Sequence, residues 1–315
     1  MFKYLLNLLF LMIRKVIQLA GKTSVISLPL PWVRKYNIEK GAELELIERG
    51  REIIIKTNKD LQIDRIVINI NDLDEQSIKW TLSALHKFGY DEIEVVSDKE
   101  EYFQVLNDMV KDILLGFVIM QQTSKKVVLK SVSNDVESEF DMALRRAFLV
   151  TLSLGEGIVS KLKQNNNDFS DLYYLEKVNN QFTNFCERLL NKKGFRDFRK
   201  TCFYYVIVWN LEKICDVYMD LCKVLERTEI TNHFILLIEK TNEVFKGYYN
   251  LFYNFENKKL VELDKLILEL LDNISSLKLY GEEYSCLKGI LSRTREFLAS
   301  TIAINHEKHS INTFS

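Results

Sequence analysis

The sequence predicts a multi-domain α+β chain: a small β-rich unit at the N-terminus, an α/β sandwich over 63–132, and an all-α region over 135–309. Three observations predict it. Both prolines of the 315 residues, Pro29 and Pro31, fall in the first unit. Apolar strand runs and helical runs alternate from Ile63 to Leu129. From Asp135 to His309 there is no proline, and apolar periodicity is that of a helix throughout. A balance of 47% hydrophobic and 28% charged residues suits a globular chain and excludes a disordered one.

Residues 12–57 read as strand, Gly turn, strand, short helix, Gly turn and closing hairpin. Val16 and Gln18, then Val25, Ile26 and Leu28, suit strands. Proline needs no N–H in the first turn of a helix, so Pro29 and Pro31 open one that carries Trp32, Val33 and Tyr36. Asn37 is placed to end it in a left-handed cap. Leu44 and Leu46 alternate with Glu43 and Glu45, and Arg49-Gly50 turns the chain into Ile53-Ile54-Ile55. No acidic residue precedes Glu39, whereas Arg14, Lys15, Lys22, Arg34 and Lys35 all lie in this stretch. In a chain of net charge -1, such a local patch points to a polyanion or to an ordinary solvated face.

Arg14-Lys15-Val16, Leu19, Gly21-Lys22, Val25, Leu28-Pro29, Trp32-Val33-Arg34-Lys35-Tyr36, Ile38, Gly41, Leu44 and Leu46 resemble the AbrB/MazE/SpoVT swapped-hairpin family of DNA-binding domains. The resemblance implies a β-barrel closed only when two chains interlace their hairpins, hence a homodimer. It also implies that Arg14, Lys15, Lys22, Arg34 and Lys35 contact double-stranded DNA. Ala20-Gly21-Lys22 departs from the family's commoner Gly-Arg loop.

Met1 to Leu11 is an apolar extension with one lysine, far short of the roughly 18 residues a membrane span needs. Translation starting at Met12 explains it most simply, ahead of a short membrane-touching anchor. Residues 58–62 form a polar joint.

In 63–132, the run from Asp64 to Ile70 reads as a strand. Asp74 caps a helix carrying Ile78, Leu82 and Leu85 that ends at Gly89. Ile93 to Val96 is a strand, and Asp98 caps a helix with Phe103, Leu106, Val110 and Leu114. A hairpin turns at Thr123-Ser124-Lys125. The β-α-β-α-β-β order suggests a two-layer sandwich of ferredoxin-like kind. No Gly-rich phosphate loop is present, and His86 reads as a helix-surface residue.

Breaks at Asn165–Asn167, Lys192–Gly194, Thr228, Asn257 and Gly281 divide 135–309 into six helices. Their spans are roughly 135–164, 168–193, 196–227, 229–256, 258–279 and 281–309, a rhythm of two three-helix bundles. Cys186, Cys202, Cys215, Cys222 and Cys286 form no C-x-x-C pair and read as buried free thiols of a reducing, cytoplasmic compartment. On the third helix Ile207, Leu211, Ile214, Tyr218, Leu221 and Leu225 share an apolar face, with Glu212 and Asp216 opposite it. Tyr205 and Trp209 lie on that polar side, where something must cover them.

Glu137-Ser138-Glu139-Phe140-Asp141, Leu144-Arg145-Arg146 and the run from Tyr204 to Asp216 resemble PhoU, the phosphate-uptake regulator. In PhoU-like proteins an E-x-x-x-D motif holds metal clusters, and Glu212 and Asp216 match it, implying a divalent metal or iron. A solvated face explains the same pair without a ligand. The matching stretch of the sixth helix puts Arg295 and Ala299 in place of the acids, which disfavours a second cluster. His306 and His309 have a ligand-like spacing in a fraying tail. Archaeal proteins exist in which an AbrB-like domain precedes a PhoU-like one.

No G-x-S-x-G, H-E-x-x-H, P-loop or Cys set near a His occurs, so a regulator is expected rather than an enzyme. The expected activity is DNA-binding regulation of phosphate uptake. The alternative is an adaptor that does not bind DNA and docks its helices on a phosphate transporter or its signalling kinase.

Overall fold

A computed structural model of the chain describes residues 13–49, 51–57, 64–99, 101–133, 137–276 and 281–309. The extension 1–11 and the joint 58–62 lie outside the described residues. The chain divides into two compact units, Met1–Ile63 and Asp64–Ser315.

In the first unit, β1 (Ile17–Leu19) pairs antiparallel with β2 (Thr23–Val25), and β3 (Leu44–Arg49) with β4 (Glu52–Thr57). Ala20 and Gly21 both adopt positive φ in the first turn, the backbone hand that matches strand twist in a tight hairpin. Helix α1 (Leu30–Lys35) follows Pro29. Asn37 is left-handed at φ 47°, and Ile38 N donates to Val33 O at 3.0 Å, so the expected cap closes the helix. The two ribbons remain separate two-stranded sheets; no barrel is closed among the described residues of this single chain.

In the second unit β5 (Arg65–Asn69), β6 (Glu92–Val96), β7 (Phe117–Gln122) and β8 (Lys126–Ser131) form one sheet of order β5-β6-β8-β7. Strands β5 and β6 are parallel neighbours joined by α2 (Glu75–Phe88), while β8 pairs antiparallel with both β6 and β7. This corrects the ferredoxin-like expectation. In a split β-α-β another strand lies between the two parallel ones, and here none does. Asp74 caps α2 as expected, Oδ1 accepting from Ser77 N at 2.7 Å, and Gly89 ends it at φ 112°. Asp98 does not cap α3 (Tyr102–Asp112); its carboxylate accepts from Asn71 Nδ2 at 2.9 Å instead. Ile78, Leu82, Ile93, Leu106, Val127 and Leu129 make the core of this layer.

Six helices follow among the described residues: α4 (Glu137–Lys163), α5 (Tyr173–Lys193), α6 (Thr201–Leu225), α7 (Asn232–Tyr253), α8 (Asn257–Ser276) and α9 (Glu282–Ile304). The N-terminal turns of the second and third are 3₁₀, at Ser170–Leu172 and Phe198–Lys200, so α5 and α6 begin later than periodicity suggests. Helices α4, α5 and α6 pack on one another, α8 packs on α7 and α9, and α6 lies along α9, so one core runs through all six. Gly155 of α4 faces Asn242 of α7 so closely that a Cβ would meet its side chain at 2.7 Å. Asn242 Oδ1 in turn accepts from Tyr218 of α6 at 2.6 Å.

The α/β layer and the helices belong to one compact unit, and α5 is the reason. Helices α2 and α3 end with carbonyls that lack intrahelical partners. Arg188 Nη1 donates to His86 O at 3.1 Å and Tyr90 O at 2.6 Å, Asn191 Nδ2 to Lys87 O at 2.8 Å, and Gln181 Nε2 to Lys111 O at 2.8 Å. Arg188 Nη2 also bonds Asp91 at 2.8 Å, and Lys192 reaches the same carboxylate. A cation at a helix C-terminus complements the helix dipole as well.

Two further expectations are corrected here. His86 is fully buried rather than on the surface, its Nε2 3.1 Å from Leu115 O and its ring edge-on to Phe117. All five cysteines are free, but only Cys186, Cys215 and Cys222 are buried; Cys202 is exposed and Cys286 half-buried.

Candidate functional site

Two places carry the residues singled out by sequence. The first is the basic stretch. Arg14 and Lys15 precede β1, Lys22 follows the positive-φ pair of the turn, and Arg34 lies on α1, all exposed. Lys35 is in α1, with its side chain outside the described atoms. Trp32 and Tyr36 hold the helix by ring contact at 5.6 Å. Among the described residues of 13–57 whose exposure is known, none is buried. Ile17, Leu19, Leu46 and Ile53 are each more than half exposed. Strand register places Leu44, Leu46, Ile53 and Ile55 on one face of the β3–β4 ribbon. A two-stranded ribbon with an open apolar face is at best marginally stable in water, so this unit needs a cover.

The second place is the polar side of α6. Glu212 and Asp216 are not fully solvated: their side chains are 15% and 35% exposed. Lys213 lies between them, Nζ 3.3 Å from Glu212 Oε1 and 2.8 Å from Asp216 Oδ2. The Trp209 ring has Lys213 Nζ 5.2 Å from its centroid and Lys87 Nζ 5.7 Å from it, and Lys87 pairs with buried Glu187 at 3.0 Å. The aromatic on the polar face is thus partly covered by two ammonium groups. Tyr205 packs half-buried against the helical core.

Burial pushes the Glu187 carboxyl above its ordinary pKa, opposed by Lys87 and reinforced by Glu212. Burial and the charge of Asp216 do the same to Glu176. For Lys213, burial works against the ammonium, but the bond to Asp216 and the charge of Glu212 outweigh it and its pKa rises. A carboxyl with a raised native pKa binds protons more readily folded than unfolded. Stability therefore falls as pH rises from the ordinary glutamate range through the raised value. Replacing Glu187 by Gln should flatten that decline in urea melts taken across the acidic range, with Glu176 supplying what slope remains.

Neither Glu212 nor Asp216 joins a metal-ligand set: among the described residues no group of three or more His, Cys, Asp or Glu side chains could hold a metal. Arg295 forms an ion pair with Asp264 of α8 at 2.6 Å. His306 and His309 lie in a 3₁₀ turn where His306 Nδ1 meets Ala303 O at 2.9 Å; the His309 side chain lies outside the described atoms. A cleft of about 560 Å³ opens among Arg145, Tyr204, Phe252 and Tyr253, but Asp141 in its wall opposes an anion there. Among the described residues no helix is long and apolar enough to cross a membrane.

Sequence reasoning missed Lys213 and the α5 anchor. Lys213 and Asp216 stand at i,i+3, a spacing that brings side chains together on a helix and was open to reading. Arg188 gave no signal, because its partners lie about a hundred positions away. No protein-family model, curated protein or solved structure matches this chain.

Proposed function

We propose that the chain is a dimeric DNA-binding regulator whose helical region senses or relays phosphate status. The observation that carries the reading is the first unit: two ribbons with open apolar faces, no buried side chain among those described, and exposed Arg14, Lys15, Lys22 and Arg34. A unit of this size cannot bury a core alone, and a second copy offers the complementary ribbons. The cations of both copies then address one duplex. The phosphate link rests on the likeness of the helical region to PhoU.

The test is a salt titration of duplex binding by fluorescence anisotropy. Five cations on each of two chains allow roughly 6–8 phosphate contacts, so log K should fall with log salt at a slope of about -5 to -7. Charge reversal by Arg34→Glu with Lys35→Glu should weaken binding to every sequence and shrink the slope by about one unit for each phosphate that is no longer neutralised. Circular dichroism checks that α1, closed by Pro29 and the Asn37 cap, survives. No duplex binding by the wild type at low salt, or equal binding by the variant, makes the unit a dimerisation module and the chain an adaptor for a transporter or kinase.

A further inference from the structure

We infer that Lys213 is a tethered counter-ion occupying the place a bound cation would take between Glu212 and Asp216, so this face of α6 works without a metal. The ammonium contacts one oxygen of each carboxylate, at 3.3 Å and 2.8 Å. A divalent ion bridging the same two oxygens would lie against a positive charge at contact distance, and Lys213 would have to leave first. It is held against leaving: its side chain is 30% exposed and the Trp209 ring faces it. Being part of the helix, it is present at a fixed and high local concentration, whereas a dissolved ion must be captured.

The surroundings follow the same plan. Glu187 of α5 has Lys87 of α2 as its partner at 3.0 Å, and Asp220 has Lys223 at 3.0 Å. Glu176 of α5 differs, its carboxylate accepting from the Asn180 amide at 3.4 Å. The other oxygen of the same carboxylate, Glu212 Oε2, is buried and has no hydrogen-bond partner, so nothing else offsets the charge that Lys213 meets at Oε1. With the ammonium gone, Glu212 Oε1 and Asp216 Oδ2 would be left as hard, negatively charged ligands of the kind Mg²⁺ or Mn²⁺ takes. The consequence for the proposed sensing role is that any signal received by the helices does not pass through a metal at this acid pair.

The experiment uses the full chain and Mn²⁺. Wild type should melt at the same temperature in Mn²⁺ and in chelator, and should leave the free Mn²⁺ electron paramagnetic resonance signal undiminished. Lys213→Met should melt lower in chelator and recover in Mn²⁺. A native-state ligand at a hundredfold its dissociation constant raises the midpoint of a domain this large by about 5–10 °C. The same variant should deplete the free Mn²⁺ signal saturably, while Lys213→Arg behaves as wild type. A wild-type chain that takes up Mn²⁺ and melts higher with it, both effects lost in Glu212→Gln with Asp216→Asn, overturns the inference. So does a folded Lys213→Met chain that ignores Mn²⁺. Should that variant not fold, Lys213→Gln, which keeps a polar stem, replaces it with the same two outcomes.

Discussion

Replacing Arg188 with alanine should cost the Asp64–Ser315 unit about 3–5 kcal/mol, read as a lowered midpoint in urea unfolding, because removing one member of a buried charged network leaves the others unpaired. Arg188 is fully buried, and what it leaves behind is specific. The Tyr90 carbonyl loses its side-chain donor, the His86 carbonyl keeps the Gly89 amide at 3.1 Å, Asp91 keeps Lys192, and the face of Phe117 loses the guanidinium 5.1 Å above it. Lys192 reaches solvent and can follow Asp91, so the loss falls mainly on the Tyr90 carbonyl and on the packing around the buried side chain. Arg188→Met separates packing from bonding: it refills most of the volume yet restores none of the bonds, and should remain closer to the alanine variant than to wild type. The damage should also be local. Amide exchange should accelerate in α2 and in β5 and β6 before it does in α7, α8 and α9, whose main packing is on helices other than α5. A uniform rise throughout the unit would mean that α5 is not the anchor.

That anchor marks the boundary of what the sequence discloses. The Asn37 cap, the Asp74 cap, the Gly89 stop and the apolar face of α6 were all legible, since each depends on residues within a few positions of one another. The order of elements was legible too, but the order of strands was not: adjacency of β5 and β6 is decided by how α2 returns across the sheet, which β-α-β-α-β-β leaves open. His86 read as a surface residue from its polar type, yet it follows Ile78 and Leu82 at four-residue steps on the buried face of α2, where the Leu115 carbonyl meets its ring. Asp98 sits at a plausible capping distance from α3, yet Asn71 engages it first through two bonds, and the helix begins at Tyr102. There a partner remote in sequence outcompeted a local preference.

The candidate site on α6 was legible in the same local way. The acid pair Glu212 and Asp216 was visible, and so was its placement opposite the core. Lys213, three residues before Asp216, was there to be read as well, and its ammonium turns a pair of like charges into a partly neutralised cluster. Like-charged neighbours at i,i+4 oppose a helix by only about 0.2–0.5 kcal/mol, so their presence alone never required a ligand.

The largest effect expected on function comes from the open face of the β3–β4 ribbon. Leu46→Glu with Ile53→Glu places two carboxylates among Leu44 and Ile55, on side chains that are 66% and 65% exposed in the single chain. If that face met only water, the substitutions would be nearly silent, because charged residues on a solvated ribbon are well tolerated. In a dimer that buries it, four large apolar side chains lose their burial at about 1.5–3 kcal/mol each, before any cost of desolvating the new charges. A loss on that scale is comparable with the difference between nanomolar and millimolar association, about 8 kcal/mol. Sedimentation of the full chain at micromolar concentration should therefore show a dimer for wild type and a monomer for the variant. Duplex binding should fall by far more than charge reversal on α1 achieves, since losing the partner copy removes half of the cations and the folded frame that presents the rest. The melting transition of the helical unit, which has its own core, should stay where it was. A variant that remains dimeric and binds DNA as wild type does would show that the ribbon face is not the joint between copies.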